Sequence, residues 1–208
     1  MIVLLLLLSV PLLVTSSFDD ELIIERRPHH VDWEDLFMEY NRYSAPNRLR
    51  QEVNLTLDVI AVGEAQIVFE LNQHWRDERL RFVGVSRVPV PSHIQPWYPD
   101  TYIRNAVNVV VEQKSLDLNY DGTFLLRQKY QAGLTKEIVI ASFNNYGTEK
   151  IHYNLVDSRM GSSGHVITSV EESVRNFDGL HFDDVVISLK RRSTTESPLE
   201  TLMSNSTL

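Results

Sequence analysis

From Val53 onward the chain alternates: Val53, Leu55, Leu57, Val59 and Ala61 stand at every second position, with Asn54, Thr56, Asp58 and Ile60 between them. A strand sends successive side chains to opposite faces, so this spacing predicts a strand with one buried face. One buried face needs a second layer to cover it. Gly63 marks the turn that ends the strand, and residues 67–75 read as the next one. Residues 106–112 form a Val-rich strand candidate. Asn119-Tyr120-Asp121-Gly122 is a hairpin turn, because Asp-Gly readily takes positive φ, and residues 124–130 are its return strand. Further short strands are expected at 137–143, 150–155, 166–170 and 184–190. Ahead of them, Trp33, Leu36, Phe37 and Tyr40 fall at helical spacing within 31–43, with Asp32 placed to cap the helix and Pro46 beyond it. The pattern predicts an all-β fold: an antiparallel β-sandwich, immunoglobulin-like, with a short N-terminal helix.

Residues 1–17 carry a leucine-rich run, a break at Pro11 and the small residues Thr15, Ser16 and Ser17. The run is short for a bilayer span and reads as a secretory signal peptide, which places the domain, 18–192, outside the cell. Residues 193–208 are polar and aperiodic, and read as a disordered tail. Asn54-Leu55-Thr56 and Asn205-Ser206-Thr207 are glycosylation sequons, usable on a secreted chain. The sequence holds no cysteine, and a core of this size does not require a disulfide. A formal net charge of −8 argues against nucleic acid as a partner, since that contact needs clustered cations.

Two segments join a tryptophan closely to an aspartate: Trp75-Arg76-Asp77-Glu78-Arg79-Leu80 and Trp97-Tyr98-Pro99-Asp100-Thr101-Tyr102. On physical grounds Trp75 and Trp97 are sandwich anchors, because an indole buries a large area. Asp77 lies on the same strand face as Trp75, placed to pair with Arg79 or to cap a neighbouring turn. Pro99-Asp100-Thr101 reads as a turn closed by Asp100.

These motifs resemble the WxDxRL and WxPDT motifs in the ligand-binding domain of pentameric ligand-gated ion channels, the Cys-loop neurotransmitter receptors. The resemblance runs collinearly over residues 33–192 and includes Asp121-Gly122-Thr123, similar to the family's DGT hairpin. Residues 131–136 stand in place of the family's cysteine loop, and are shorter. The resemblance implies a small-molecule neurotransmitter as ligand, homologous subunits in a homo- or hetero-pentamer as partners, and an aromatic cage at the subunit interface. Phe143 falls at the cage's central aromatic, Phe177 or Phe182 on the capping hairpin, Arg104 where an aromatic is usual, and Glu70 where the facing subunit offers one. The motif forms lean toward the anion-channel branch. Read from its residue type alone, Phe143 is either a ligand contact or a sandwich aromatic. Arg104 is either a solvated side chain or a carboxylate-binding fork.

No enzymatic pattern competes, and no cofactor is expected. His29-His30 lacks further metal ligands at useful spacing, and no nucleophile elbow or phosphate loop occurs. Asp183-Asp184 and Glu171-Glu172 are sequence neighbours, which on a strand point to opposite faces. The residues are compatible with three readings: the ligand-binding domain of a channel subunit, a secreted soluble binding module or decoy without channel activity, and a truncated receptor product without function.

Overall fold

The computed structural model of the protein describes residues 31–84, 87–133, 136–143, 150–161, 165–177 and 179–191. The expected signal peptide and tail, His29-His30 and the Asn205 sequon lie outside the described residues. The strands are β1 (Arg50–Val62), β2 (Gln66–Arg76), β3 (Val88–Pro89), β4 (Thr101–Ile103), β5 (Val110–Leu118), β6 (Thr123–Gly133), β7 (Glu137–Ser142), β8 (Lys150–Met160), β9 (His165–Phe177) and β10 (Leu180–Arg191). They form a six-stranded sheet, β3-β5-β6-β2-β1-β8, and a four-stranded sheet, β4-β7-β10-β9. The described residues form a β-sandwich with a short helix, as the alternation requires.

Val53, Leu55, Leu57 and Val59 of β1 are buried, and Ile67, Phe69, Leu71 and Trp75 of β2 lie beside them. Ile103, Ile138, Ile140, Val185 and Ile187 from the other sheet belong to the same core. Each fully buried large apolar side chain contributes about 1.5–3 kcal/mol. Stacking of Phe69 on Tyr130, with ring centroids 5.2 Å apart, adds to the packing within the six-stranded sheet.

Four expectations are corrected. The helix is α1 (Trp33–Leu36), four residues long, with the Asp32 carboxylate accepting from the Asp35 N–H at 3.1 Å. Turns replace the rest of 31–43, because the Tyr40 hydroxyl is bonded to distant partners in the sandwich. Ala61 is exposed rather than buried, since a bulge between Val59 and Ala61 shifts the register with β2. The Val-rich strand begins at Val110: Asn108 takes φ +52° and the Val107 carbonyl accepts from Gly133 N–H at 2.7 Å, so the preceding segment turns. Finally, the β1–β8 pair is parallel, Arg50 opposite Lys150, while every other pairing among the described residues is antiparallel. A parallel neighbour needs a long crossover, and here β2 through β7 supply it by passing through both sheets.

The Asp-Gly hairpin forms as read. Gly122 has φ +84°, and Asn119 N–H donates to Thr123 O at 2.9 Å. Gly122 O also accepts from Asp77 N–H at 2.9 Å, so the hairpin packs on the end of β2. A Cβ at Gly122 would stand 2.3 Å from the Asp77 carbonyl oxygen, whereas Gly179, at φ +78°, faces open space. Gly122→Ala is therefore expected to cost about 2–4 kcal/mol, a left-handed backbone penalty plus steric overlap. Gly179→Ala should cost only ~1–2 kcal/mol. Urea unfolding of both variants measures the difference; equal losses would show that the contact with Asp77 is not limiting.

Candidate functional site

The first tryptophan–aspartate motif builds a clamp. Asp77 is fully buried and caps the 3-10 turn Glu78–Leu80. Its carboxylate accepts from Arg79 N–H at 3.1 Å, from Arg79 Nε at 2.8 Å and Nη2 at 2.7 Å, and from the Tyr40 hydroxyl at 2.8 Å. Arg79 continues to the carbonyls of Ser44 and Asn41, at 3.1 and 3.3 Å, with its guanidinium 4.5 Å over the Tyr40 ring. The Tyr40 hydroxyl accepts from Trp97 N–H at 2.9 Å. Burial above all, with the charge of Asp77 adding to it, holds the Tyr40 hydroxyl well above the usual tyrosine range. The hydrogen bond to Asp77 raises Arg79 likewise. Both roles read for Asp77, ion pair and cap, are present together. Trp75 completes the motif, stacked on Phe124 at 5.1 Å and meeting Trp97 edge-on at 6.2 Å.

The second motif runs extended into β4 instead of forming a turn. Pro99 is buried, and Asp100 Oδ1 accepts from the Ser142 hydroxyl at 2.6 Å. Next to it, Thr101 bonds both Gln73 and Tyr153, and Gln73 donates to Gln128 at 2.9 Å. These polar groups join the two sheets through the core, and burial pushes the Tyr153 hydroxyl far up and that of Tyr130 to about 12. Gln73 occupies an inward position of β2 that alternation alone assigns to an apolar residue.

Alternation in the four-stranded sheet then separates two faces. Ile103, Ile138, Ile140, Val185 and Ile187 point into the core, so Tyr102, Arg104, Ala141 and Asp184 belong to the opposite face. On that face Arg104 Nε lies 3.2 Å and Arg175 Nε 3.3 Å from the same oxygen of Asp184. The Asp184 side chain is fully buried, and its Oδ1 has no hydrogen-bond partner among the described residues. Arg175 also lies over the Phe182 ring at 4.4 Å. Phe143 follows β7, 70% exposed, with Tyr102 edge-on at 5.6 Å and its N–H directed at Asp100 O, 3.4 Å away.

The structure thus gathers Arg104 and Phe182 through Arg175 and Asp184, and it carries Phe143 at the end of the neighbouring strand. Phe182 is buried rather than presented as a capping wall. Phe177 ends β9, and its side chain lies outside the described residues. Glu70 is exposed on β2 in the other sheet, opposite Asp58 and Lys129, so a single chain does not bring it to the Arg104 cluster. Asn54 is exposed in mid-strand on β1, its side-chain oxygen accepting from Asn154 Nδ2 at 3.2 Å.

Sequence reading missed Arg175, Asp184 and Tyr102. The available signal was a charged residue next to the apolar run Val185-Val186-Ile187, where a strand entering a sheet carries a carboxylate that needs a cation. The expected opposition of Asp183 and Asp184 is observed: Asp183 instead meets His152 of β8 at 3.0 Å, beside a groove of about 560 Å³ between β8 and the β9–β10 hairpin. Among the described residues no group of three His, Asp or Glu side chains is arranged to hold a metal, and no helix is long and apolar enough to cross a membrane.

His74, half-buried on β2, supplies a pH dependence. Burial first, then the charge of Arg87, lowers its proton affinity in the folded chain below the ordinary value of 6.5. The unfolded chain therefore takes up this proton at higher pH than the folded one, so the stability is present above about pH 6.5 and lost as pH falls. Between pH 7.5 and 5.5 the melting temperature of His74→Gln should fall less steeply than that of the parent. Parallel slopes would remove His74 as the cause.

Compared with known proteins, the chain matches no protein-family model and no curated protein.

Proposed function

We propose that this chain is the extracellular ligand-binding domain of a neurotransmitter-gated ion channel subunit, holding a small amine or amino acid where homologous subunits meet. The reading rests on the collinear order of the motifs at Trp75, Trp97 and Asp121 within a β-sandwich that begins with a short helix. The observation that carries it is the corner at Tyr102 and Phe143: a large aromatic ring, 70% exposed, backed by a second ring and anchored to Asp100 of the partly buried second motif. An exposed aromatic on a rigid backing is what a binding surface presents. The segments named in the resemblance thereby acquire separate duties. Trp75, Asp77 and Trp97 hold the sandwich end together, whereas Arg104, Phe143 and Phe182 border one face of the smaller sheet.

Size exclusion with light scattering on the glycosylated protein secreted from eukaryotic cells tests the reading. A pentamer supports assembly through subunit interfaces and directs ligand screening to Phe143. A monomer that binds no transmitter overturns it, and a monomer that does bind one turns the reading into a soluble binding module.

A further inference from the structure

From Val110 to Ser115, strand β5 is exposed at every residue, so neither of its faces is covered there. One edge of this stretch is held by β6. Along the other edge, β3 reaches only Leu118 and Asp117, and Val90 N–H donates to the Leu116 carbonyl at 2.9 Å. Among the described residues no strand pairs with that edge at 110–115. Peptide groups alternate sides along an antiparallel strand, so those of Lys114 face the open edge as those of Leu116 do. An open edge is a template for another strand. Val107, Val109, Val110 and Val111 are each 40% exposed or more, and a run of exposed apolar side chains marks a contact surface.

The charges on β5 fit the strand's own reverse. An antiparallel copy centred on Gln113 sets Glu112 opposite Lys114 of the second copy, and two-fold symmetry makes that pair twice. Centring on Glu112 or on Lys114 instead sets like charge against like. Within the chain, Glu112 meets Lys129 at 2.6 Å and Lys114 lies 4.3 Å over the Tyr98 ring. A bulge between Val111 and Gln113 leaves Glu112 without an opposite residue on β6. Bulges and charges guard an edge against indiscriminate pairing, and here they leave one self-complementary register.

Pairing in that register ends at Ser115, because Val90 already holds Leu116. Val110 and Val109 of the second copy then run on toward a groove of about 530 Å³ between β5 and residues 89–98, with Val90, Pro91, Ile94, Pro96, Tyr98 and Leu116 in its lining. Each copy offers both the valines and the groove, so the contact uses the same surface twice and closes at two copies.

We propose that the open edge of β5 is an interface with a second copy of this chain, joined antiparallel about Gln113. A ring of five uses two different surfaces on each subunit, whereas this contact uses one, so it goes beyond the ligand-binding reading and fails or holds separately from it.

Sedimentation velocity of the full chain, secreted from eukaryotic cells and measured over a concentration series, tests the interface. The parent should pair as concentration rises. Glu112→Lys and Lys114→Glu each set like charges opposite one another twice per pair, and each should weaken pairing about tenfold. An equimolar mixture of these two variants restores opposite charges at both positions and should pair as the parent does. Val110→Asp, at an exposed position, should weaken pairing without lowering the melting temperature by circular dichroism, and it supplies the test if a charge variant does not fold. A parent that is monomeric at every concentration overturns the proposal. So does a dimer or pentamer that none of the variants changes, the pentamer leaving the ligand-binding reading in place. A mixture that stays unpaired overturns the register about Gln113. Pentamers that pair into decamers, and that the variants return to pentamers, support both readings.

Discussion

Asp77→Ala should destabilise the protein by about 3–5 kcal/mol, the range for removing one partner of a buried ion pair. The carboxylate has no solvent exposure and accepts four hydrogen bonds, three from Arg79 and one from Tyr40. Its loss leaves the Arg79 guanidinium and the Tyr40 hydroxyl facing an apolar methyl group. Arg79 keeps 35% of its side chain exposed and can recover part of its hydration, which places the expected loss toward the lower end. The effect also spreads: Tyr40 would lose the acceptor that fixes its hydroxyl beneath Trp97 N–H, loosening the helix from the sandwich. Urea unfolding measures the loss, and a cycle with Arg79→Ala should return a coupling of about 1–3 kcal/mol. A loss below about 1 kcal/mol would place the pair with ordinary surface salt bridges and refute the clamp.

Trp75→Ala should be comparably severe, about 3–5 kcal/mol, by loss of transfer energy and creation of a cavity. The indole is 2% exposed, and it touches Phe124, Trp97 and Tyr98 with ring centroids 5.1, 6.2 and 6.2 Å away. Its removal opens the core where β2, β6 and the second motif meet. Trp75→Phe provides the contrast. It keeps an aromatic ring on Phe124 and deletes an indole N–H that has no partner among the described residues, so its cost should be nearer ~1–2 kcal/mol. Circular dichroism in urea is the suitable readout because the substitution removes a fluorophore. Equal losses for alanine and phenylalanine would mean that a ring stacked on Phe124 recovers none of the lost packing, and would overturn this account.

Legibility tracked the range of the interactions. The buried face of β1, the Asp-Gly hairpin and the Asp77–Arg79 pair depend on residues within a few positions of one another, and each is where the sequence places it. Alternation failed at Ala61, where one bulged residue reverses the face of the residues after it, and in the valines before Val110, where repetition carries no period. The helix was read too long for another reason. Its apolar spacing is real, but the hydroxyl of Tyr40 is held by Asp77 and Trp97, and the chain turns to deliver it.

The candidate site was legible only in part. Phe143 and Arg104 follow from the resemblance, Arg104 by its place after the second motif, whereas Asp184 is marked only by the apolar run beside it and Arg175 by no local pattern. The sequence by itself determined that this chain forms strands with one apolar face, where the hairpin turns, and that Asp77 is placed to pair with Arg79 or to cap a turn. Those outcomes arise from backbone dihedrals and a side-chain period of two. Only the tertiary structure decided that β8 lies parallel to β1, that Phe182 is buried, and that Arg104, Arg175 and Asp184 share one face. Alternation says which side chains share a face of one strand, but the neighbours across a sheet are set by strand order. Here β4-β7-β10-β9 brings those three charges together from distant parts of the chain.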